Sequence, residues 1–249
     1  MCYFYNVWDS DGFFLGKMKL RQWEALDLEK QGHQLERIYA TNGFTFPLMP
    51  VITQQDPDKL QLFNWGLVPF WVKDAKQANE LRAMTLNATC EGVFTKPSFR
   101  SSIRNKKCLI PALSFFEWMD MGNKVKQPYR IGVQDSEGMF KPFTMGGIYD
   151  TWTDQTTGEI RETFAIITTP ANEMMEEIHN SKKRMPLIIA EKDRDAWLNA
   201  QTEKEITDLM VPFPEDDMIA YPISKLISSK KGDNNVPEVL EAIEGIYMK

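Results

Sequence analysis

Phe143-Thr144-Met145-Gly146-Gly147-Ile148-Tyr149-Asp150-Thr151-Trp152, then Thr156-Thr157-Gly158, then Thr163-Phe164-Ala165-Ile166-Ile167-Thr168-Thr169: this stretch decides the fold class. Its two outer runs, 143–152 and 163–169, are rich in β-branched and aromatic residues, and the glycine-containing tripeptide between them reads as a hairpin turn. A third run of the same kind occupies 129–134. Working outward, Leu187-Ile188-Ile189 and Ile219-Ala220-Tyr221-Pro222-Ile223 read as further strands. Tyr3 to Trp8 is an aromatic strand-like run ended by the turn cluster Asp9-Ser10-Asp11-Gly12. Residues 42–72, with Asn42-Gly43 and several prolines, suggest short strands and tight loops.

Helices fall between these strands without regular alternation. Residues 18–31 have mixed faces and a stop signal at Gly32; Asp74 reads as the cap of a helix running to about Met84. A short helix ends near Ile178-His179-Asn180. Residues 191–210 read as a helix burying Trp197, Leu198, Ile206 and Leu209. After a polar loop, Ser228 to Asn235, the chain closes on a short helix or ragged end at 236–247. There is no repeat, low-complexity segment or linker. The expectation is one α+β domain spanning residues 1–249.

Composition narrows the function. The chain is 43% hydrophobic and 26% charged, as for an ordinary soluble protein. A net charge of −6 and a pI near 5.2 argue against non-specific nucleic-acid binding, although a local basic patch survives such an average. No cationic leader precedes a long apolar run, and no apolar run would span a bilayer, so the expected location is the cytoplasm. Three cysteines, with no C-x-x-C, describe neither a disulfide framework nor a zinc site, and no metal or cofactor is expected. Only His33 and His179 are available for imidazole chemistry. His33, among Gln31, Gln34 and Glu36, reads as a solvated surface residue.

Four features carry possible chemistry. If Met1 is removed, Cys2 holds a free α-amine and a thiol on adjacent carbons, both partly unprotonated near neutral pH. Alone, such a cysteine has no special meaning. Cys108 to Met119 is an almost wholly apolar run with one carboxylate, Glu117; it points outward from a strand or is an acid–base group tuned by burial. His179 lies at a helix end beside Lys182-Lys183-Arg184, where a capping role is equally open. Lys96 to Lys107 holds five basic residues and no acidic one; with Pro97 in a first helical turn, Arg100 and Arg104 would share a face. Trp65 and Trp71 flank Gly66 to Phe70, and core packing is favoured over base stacking for both.

Read together, these segments resemble the SRAP (SOS response-associated peptidase) family. The likeness rests on Met1-Cys2 and five blocks in order: Asn42 through Ile52; Trp65 to Trp71; Leu86-Asn87-Ala88 through Lys96 to Arg100; Cys108 to Ala112 through Phe116-Glu117-Trp118; and Ile178-His179 through Arg184-Met185-Pro186. It covers residue 1 to about residue 225. It implies a mostly antiparallel, barrel-like β-structure with peripheral helices, and a groove joining Cys2, Asn87, Glu117 and His179. Asn87 enters by resemblance only.

The implied partner is single-stranded DNA containing abasic sites, bound by a monomer with no membrane or metal involved. Cys2 would crosslink to the sugar aldehyde as a thiazolidine. Trp71 would stack a base, while Arg100, Arg104 and Arg184 would hold phosphates. Two positions depart from the family: Tyr3-Phe4 stand where Gly-Arg is usual, and Thr89 where Arg is usual. The competing expectations are an N-terminal-cysteine thiol peptidase or amidohydrolase, and a non-catalytic nucleic-acid-binding descendant.

Overall fold

The structure is a computed structural model and describes residues 2–9, 12–13, 39–229 and 235–243. The expected helix at 18–31, and His33, lie outside the described residues. In chain order the strands begin with β1 (Phe4–Asn6), β2 (Trp8–Asp9), β3 (Gly12–Phe13), β4 (Thr41–Asn42), β5 (Leu48–Thr53) and β6 (Leu60–Trp65). Helix α1 (Ala75–Arg82) and β7 (Asn87–Thr89) follow, then α2 (Ser102–Asn105), β8 (Lys107–Ala112), β9 (Ser114–Asp120) and β10 (Lys126–Gln134). Next come β11 (Phe140–Lys141), β12 (Phe143–Thr153), β13 (Ile160–Pro170), α3 (Glu173–Ile178), β14 (Arg184–Pro186) and β15 (Ile188–Ile189). Helices α4 (Arg194–Asn199) and α5 (Glu203–Asp208) precede the last strand, β16 (Met218–Pro222).

The hairpin expected between residues 143 and 169 is β12–β13, paired from Gly147↔Ile166 to Thr153↔Ile160. It closes a five-stranded ring. β13 pairs in parallel with β6, and β6 pairs with β5, β5 with β8 and β8 with β12, all three antiparallel. A ring without free edges satisfies its own backbone groups. Beside it lies a mostly antiparallel sheet ordered β11-β10-β9-β1-β4, with β16 also on β10. The expected α+β, barrel-like class is therefore the one observed.

The apolar run 108–119 links the two sheets. It splits at Leu113, with β8 in the barrel and β9 in the open sheet. The main core fills the space between, where Tyr5, Phe63, Trp65, Phe115, Ile131 and Phe164 are all buried. A second core packs Trp197, Leu198 and Ile206 of α4 and α5 against Leu109, Ile148 and Ala165. Each large buried indole finds a carbonyl: Trp65 Nε1 donates to Leu86 O, Trp152 to Val72 O and Trp197 to Cys108 O, at 2.7–2.9 Å.

Two helical expectations change. Residues 191–210 form two short helices, because Thr202 and Glu205 make a reciprocal capping box that starts α5 afresh. Leu209 is only half-buried. The basic stretch after Pro97 is a series of turns ending in the four-residue α2; burial of Phe99 and Ile103 governs its course. Asp74 does cap α1, its side chain accepting from Gln77 N at 2.8 Å.

Gly147 of β12 pairs with Cys108 of β8 on one side and Ile166 of β13 on the other. A Cβ there would lie 2.5 Å from Ile110 Cδ1 and 2.7 Å from the Ala165 carbonyl oxygen, which cannot move without its strand. Gly147→Ala should therefore destabilise the fold by about 1–3 kcal/mol, read as a lower urea midpoint with an unchanged m-value.

Candidate active site

Cys2 precedes β1, which pairs with β9 through Phe4↔Phe116 and so brings the chain's start alongside Glu117. Asn87 opens β7, a short strand laid parallel on β13. Its Nδ2 donates to the Cys2 carbonyl at 2.9 Å, across the seam between the sheets. His179 is the C-cap residue of α3, its N–H donating to Met175 O. The structure thus brings together all four residues implied by the resemblance. The outward reading of Glu117 does not hold: it is 5% exposed. Met1 lies outside the described residues.

The Cys2 side chain is fully buried, and its thiol donates weakly to Phe4 O at 3.5 Å. Burial, and then the Glu117 carboxylate, push the thiol pKa well up, so the sulfur is protonated at neutral pH. Burial likewise raises the Glu117 carboxyl to about 7, poised to hold or release a proton near neutrality. His179 moves the opposite way, down to about 4, again chiefly by burial. Its Nδ1 lies 2.8 Å from Arg184 O, and only an N–H can donate to a carbonyl, so Nδ1 carries the hydrogen. The Arg184 N–H is farther from Nδ1, at 3.4 Å. Nε2 is then the bare nitrogen, 3.8 Å from Glu117 Oε2. With a neutral imidazole this contact is not an ion pair, and it is too long for a hydrogen bond.

Asn87 Oδ1 and the Tyr5 hydroxyl are buried without hydrogen-bond partners among the described residues. Leaving such groups unsatisfied costs roughly 1–3 kcal/mol each, which makes Asn87 Oδ1 a ready acceptor at the Cys2 backbone. At Glu117 and His179 opens a cleft of about 380 Å³, and neither Cys2 nor Asn87 is among its described lining residues. Glu117 and His179 form part of its lining, with Tyr3, Phe4, Phe44 and Trp118 as aromatic wall and Lys126, Ser181 and Lys182 on its rim. A larger hollow of about 680 Å³ lies elsewhere, lined by Glu173, Glu177, Glu215 and Asp216; it holds none of the four residues, and its charge opposes an anionic ligand. Among the described residues, no cluster of three His, Cys, Asp or Glu side chains could hold a metal ion.

The other expected contacts are not gathered at this cleft. Trp65 is core, as expected, but Trp71 is 41% exposed on the turn after β6. Arg100 is exposed, and Arg104 pairs with Glu203 at 3.4 Å beside the second core. Arg184 turns inward: Nη1 donates to Glu91 Oε1 at 2.6 Å and Nη2 to Thr168 O at 2.5 Å. Its backbone carbonyl, rather than its guanidinium, meets the site. Sequence reasoning passed over Lys126 and Phe44. Lys126 carries no sequence signal; Phe44 follows Asn42-Gly43, which marks only a turn.

A barrel and an open sheet thus hold a cysteine beside a buried carboxyl and imidazole at their seam. The chain belongs to the SRAP (SOS response associated peptidase) family, whose model matches residues 18–230. It is 37% identical over 197 residues to the abasic site processing protein YoqW of Bacillus subtilis, covering 78% of this chain and 82% of that one. It is 29% identical over 211 residues to the abasic site processing protein HMCES of Gallus gallus, covering 77% of this chain and 61% of that one. A crystal structure of a Bacteroides thetaiotaomicron protein superposes with a TM-score of 0.84 at 38% identity, covering 97% of this chain and all of that one.

The two opposed shifts give a test in stability. A carboxyl raised on folding stabilises fully below its unfolded pKa, and that stabilisation is lost as pH rises through about 7. An imidazole lowered on folding does the reverse, its cost relieved as pH rises from about 4 to its unfolded value. Between about pH 4.5 and 6.5 the slopes oppose, each at most about 1.4 kcal/mol per pH unit. In this window Glu117→Gln should become more stable with rising pH relative to wild type, and His179→Gln less stable. Urea midpoints measured across the window would check both signs.

Proposed function

We propose that this chain is an abasic-site processing protein that, once Met1 is removed, joins Cys2 covalently to abasic sites in single-stranded DNA. The observation that carries the reading is the Asn87–Cys2 hydrogen bond, which holds the cysteine backbone beside the buried Glu117–His179 pair. The names of the curated relatives support the substrate class.

The abasic sugar is in equilibrium with an open-chain aldehyde. His179 Nε2, unprotonated at neutral pH, takes the anomeric hydroxyl proton as the bond from the anomeric carbon to the ring oxygen breaks and delivers it to that ring oxygen, leaving an aldehyde and a hydroxyl; reversal runs the same transfer backwards. The Cys2 amine adds to the aldehyde carbon, and loss of water leaves an imine. Sγ then bonds to the same carbon while its proton passes to nitrogen, closing the five-membered thiazolidine. The second step is intramolecular, which supplies much of the rate and stability. Glu117, near half-protonated at neutral pH, moves the protons of both steps. Asn87 Oδ1, without a partner, accepts from the amine and orients it.

Exposed Trp71 and Arg100 serve the strand beyond the cleft. Arg104 joins them by giving up its exposed pair with Glu203, which is worth little. A phosphate contact from Arg184 requires it to leave Glu91. A thiol peptidase reading is less favoured, because the sulfur is buried and protonated and the Glu117 carboxylate opposes its ionisation.

Incubated with single-stranded DNA bearing one abasic site, the mature protein should give a covalent band, and Cys2→Ala none. Glu117→Gln, if folded, should slow band formation about 100-fold. His179→Ala should slow release of the crosslink. A wild type that gives no band but turns over amides would favour the peptidase reading instead.

A further inference from the structure

The cleft has a built lip that the crosslinking chemistry does not use. Phe44 is 49% exposed, yet its backbone is firmly held. Its N–H donates to Asn42 Oδ1 at 3.0 Å, and Gly43 N donates to Tyr3 O at 2.8 Å. The ring of buried Trp65 packs beneath the turn so closely that a Cβ on Gly43 would stand 3.0 Å from it. The Phe44 ring leans on Tyr3, with centroids 4.9 Å apart and planes inclined by 35°. Both rings line the cleft that holds Glu117 and His179. On the rim, Lys126 comes from the start of β10 and Lys182 from the loop after α3. Neither ammonium is held in an ion pair among the described residues.

We propose that Phe44, braced by Tyr3, stacks on a base flanking the abasic nucleotide, and that Lys126 and Lys182 hold the adjoining phosphates. The inference rests on the abasic-site reading above and names what positions the strand. An aromatic face accepts any base, so this lip grips the strand without reading sequence. It also sits at the point where Tyr3-Phe4 stand in the place of the family's Gly-Arg. The phosphate charge is met by the two lysines. Because Phe44 is pre-ordered by its turn, little ordering entropy is lost on binding.

The test is reversible binding of a short single strand carrying a tetrahydrofuran abasic analogue, which has no aldehyde and cannot crosslink. 2-Aminopurine is placed on one side of the analogue or the other. Wild type should quench it at one of the two positions. Phe44→Leu, at an exposed site that keeps apolar bulk, should weaken binding about tenfold and abolish the quench, with the salt slope unchanged; Phe44→Trp should restore both. Lys126→Gln and Lys182→Gln should each make the slope of log K against log salt shallower by about 0.7 and leave the quench intact. A wild type that crosslinks abasic DNA, but whose affinity and quench do not respond to Phe44→Leu, overturns the lip alone. A wild type that neither binds nor crosslinks abasic single strands overturns the abasic-site reading and the lip with it.

Discussion

The 2.9 Å hydrogen bond from Asn87 Nδ2 to the Cys2 carbonyl joins the barrel to the open sheet at the place where chemistry is possible. It needs Asn87 on β7, which rests on β13, and Cys2 just ahead of β1, which rests on β9. β9 in turn continues from β8 across the bend at Leu113, so the two sheets are covalently as well as laterally tied. A lost register in any of these pairings would invert side-chain faces and separate the groups. The barrel strand β13 thus carries β7, and the sheet strand β9 carries β1, to one seam.

Burial sets the protonation states of the site, and it acts on all three ionisable members. It keeps the sulfur protonated, leaves the carboxyl about half ionised near pH 7 and leaves the imidazole uncharged. These are three expressions of one cost, the removal of a charge from water. At neutral pH the charge at the cleft is therefore that of a half-ionised Glu117 and the two rim lysines. The Arg184 carbonyl fixes the imidazole tautomer from behind, a backbone role that an arginine side chain would not have suggested.

Much of this was legible in the sequence, unevenly. The β12–β13 hairpin, the Asp74 cap and the strands at 129–134 and 219–223 followed from local pattern, which local physics decides. Cys2, Glu117 and His179 stood out because each is chemically unusual where it lies. Asn87 did not, because its part is a single hydrogen bond to a residue 85 positions away. The split of 191–210 was written in Thr202 and Glu205, but the apolar stripe running through it read as one helix. Arg184 is a phosphate ligand by resemblance only; its partner Glu91 lies 93 positions away and becomes visible only once β14 pairs with β13. Lys126 becomes a rim residue only through the pairing of β10 with β9, and no local pattern marks that.

The burial of Cys2 also orders the proposed chemistry. A thiol whose pKa is pushed well up by burial and by Glu117 is a poor first nucleophile, because the thiolate is the reactive form. The amine of a mature Cys2 has no such handicap from its own chemistry, since its reference pKa is about 7.7–8.0. Amine attack first, with sulfur closing the ring, is thus the sequence of steps that burial favours. It also fits the position of the carboxyl. Forming the imine consumes the aldehyde and places its carbon within reach of Sγ, where the thiol proton needs only a nearby base. Glu117, whose charge is felt by the thiol, is that base once it is ionised. The same carboxylate that suppresses the free thiolate beforehand then takes up its proton, and this restrains a reactive sulfur until a bound aldehyde is present.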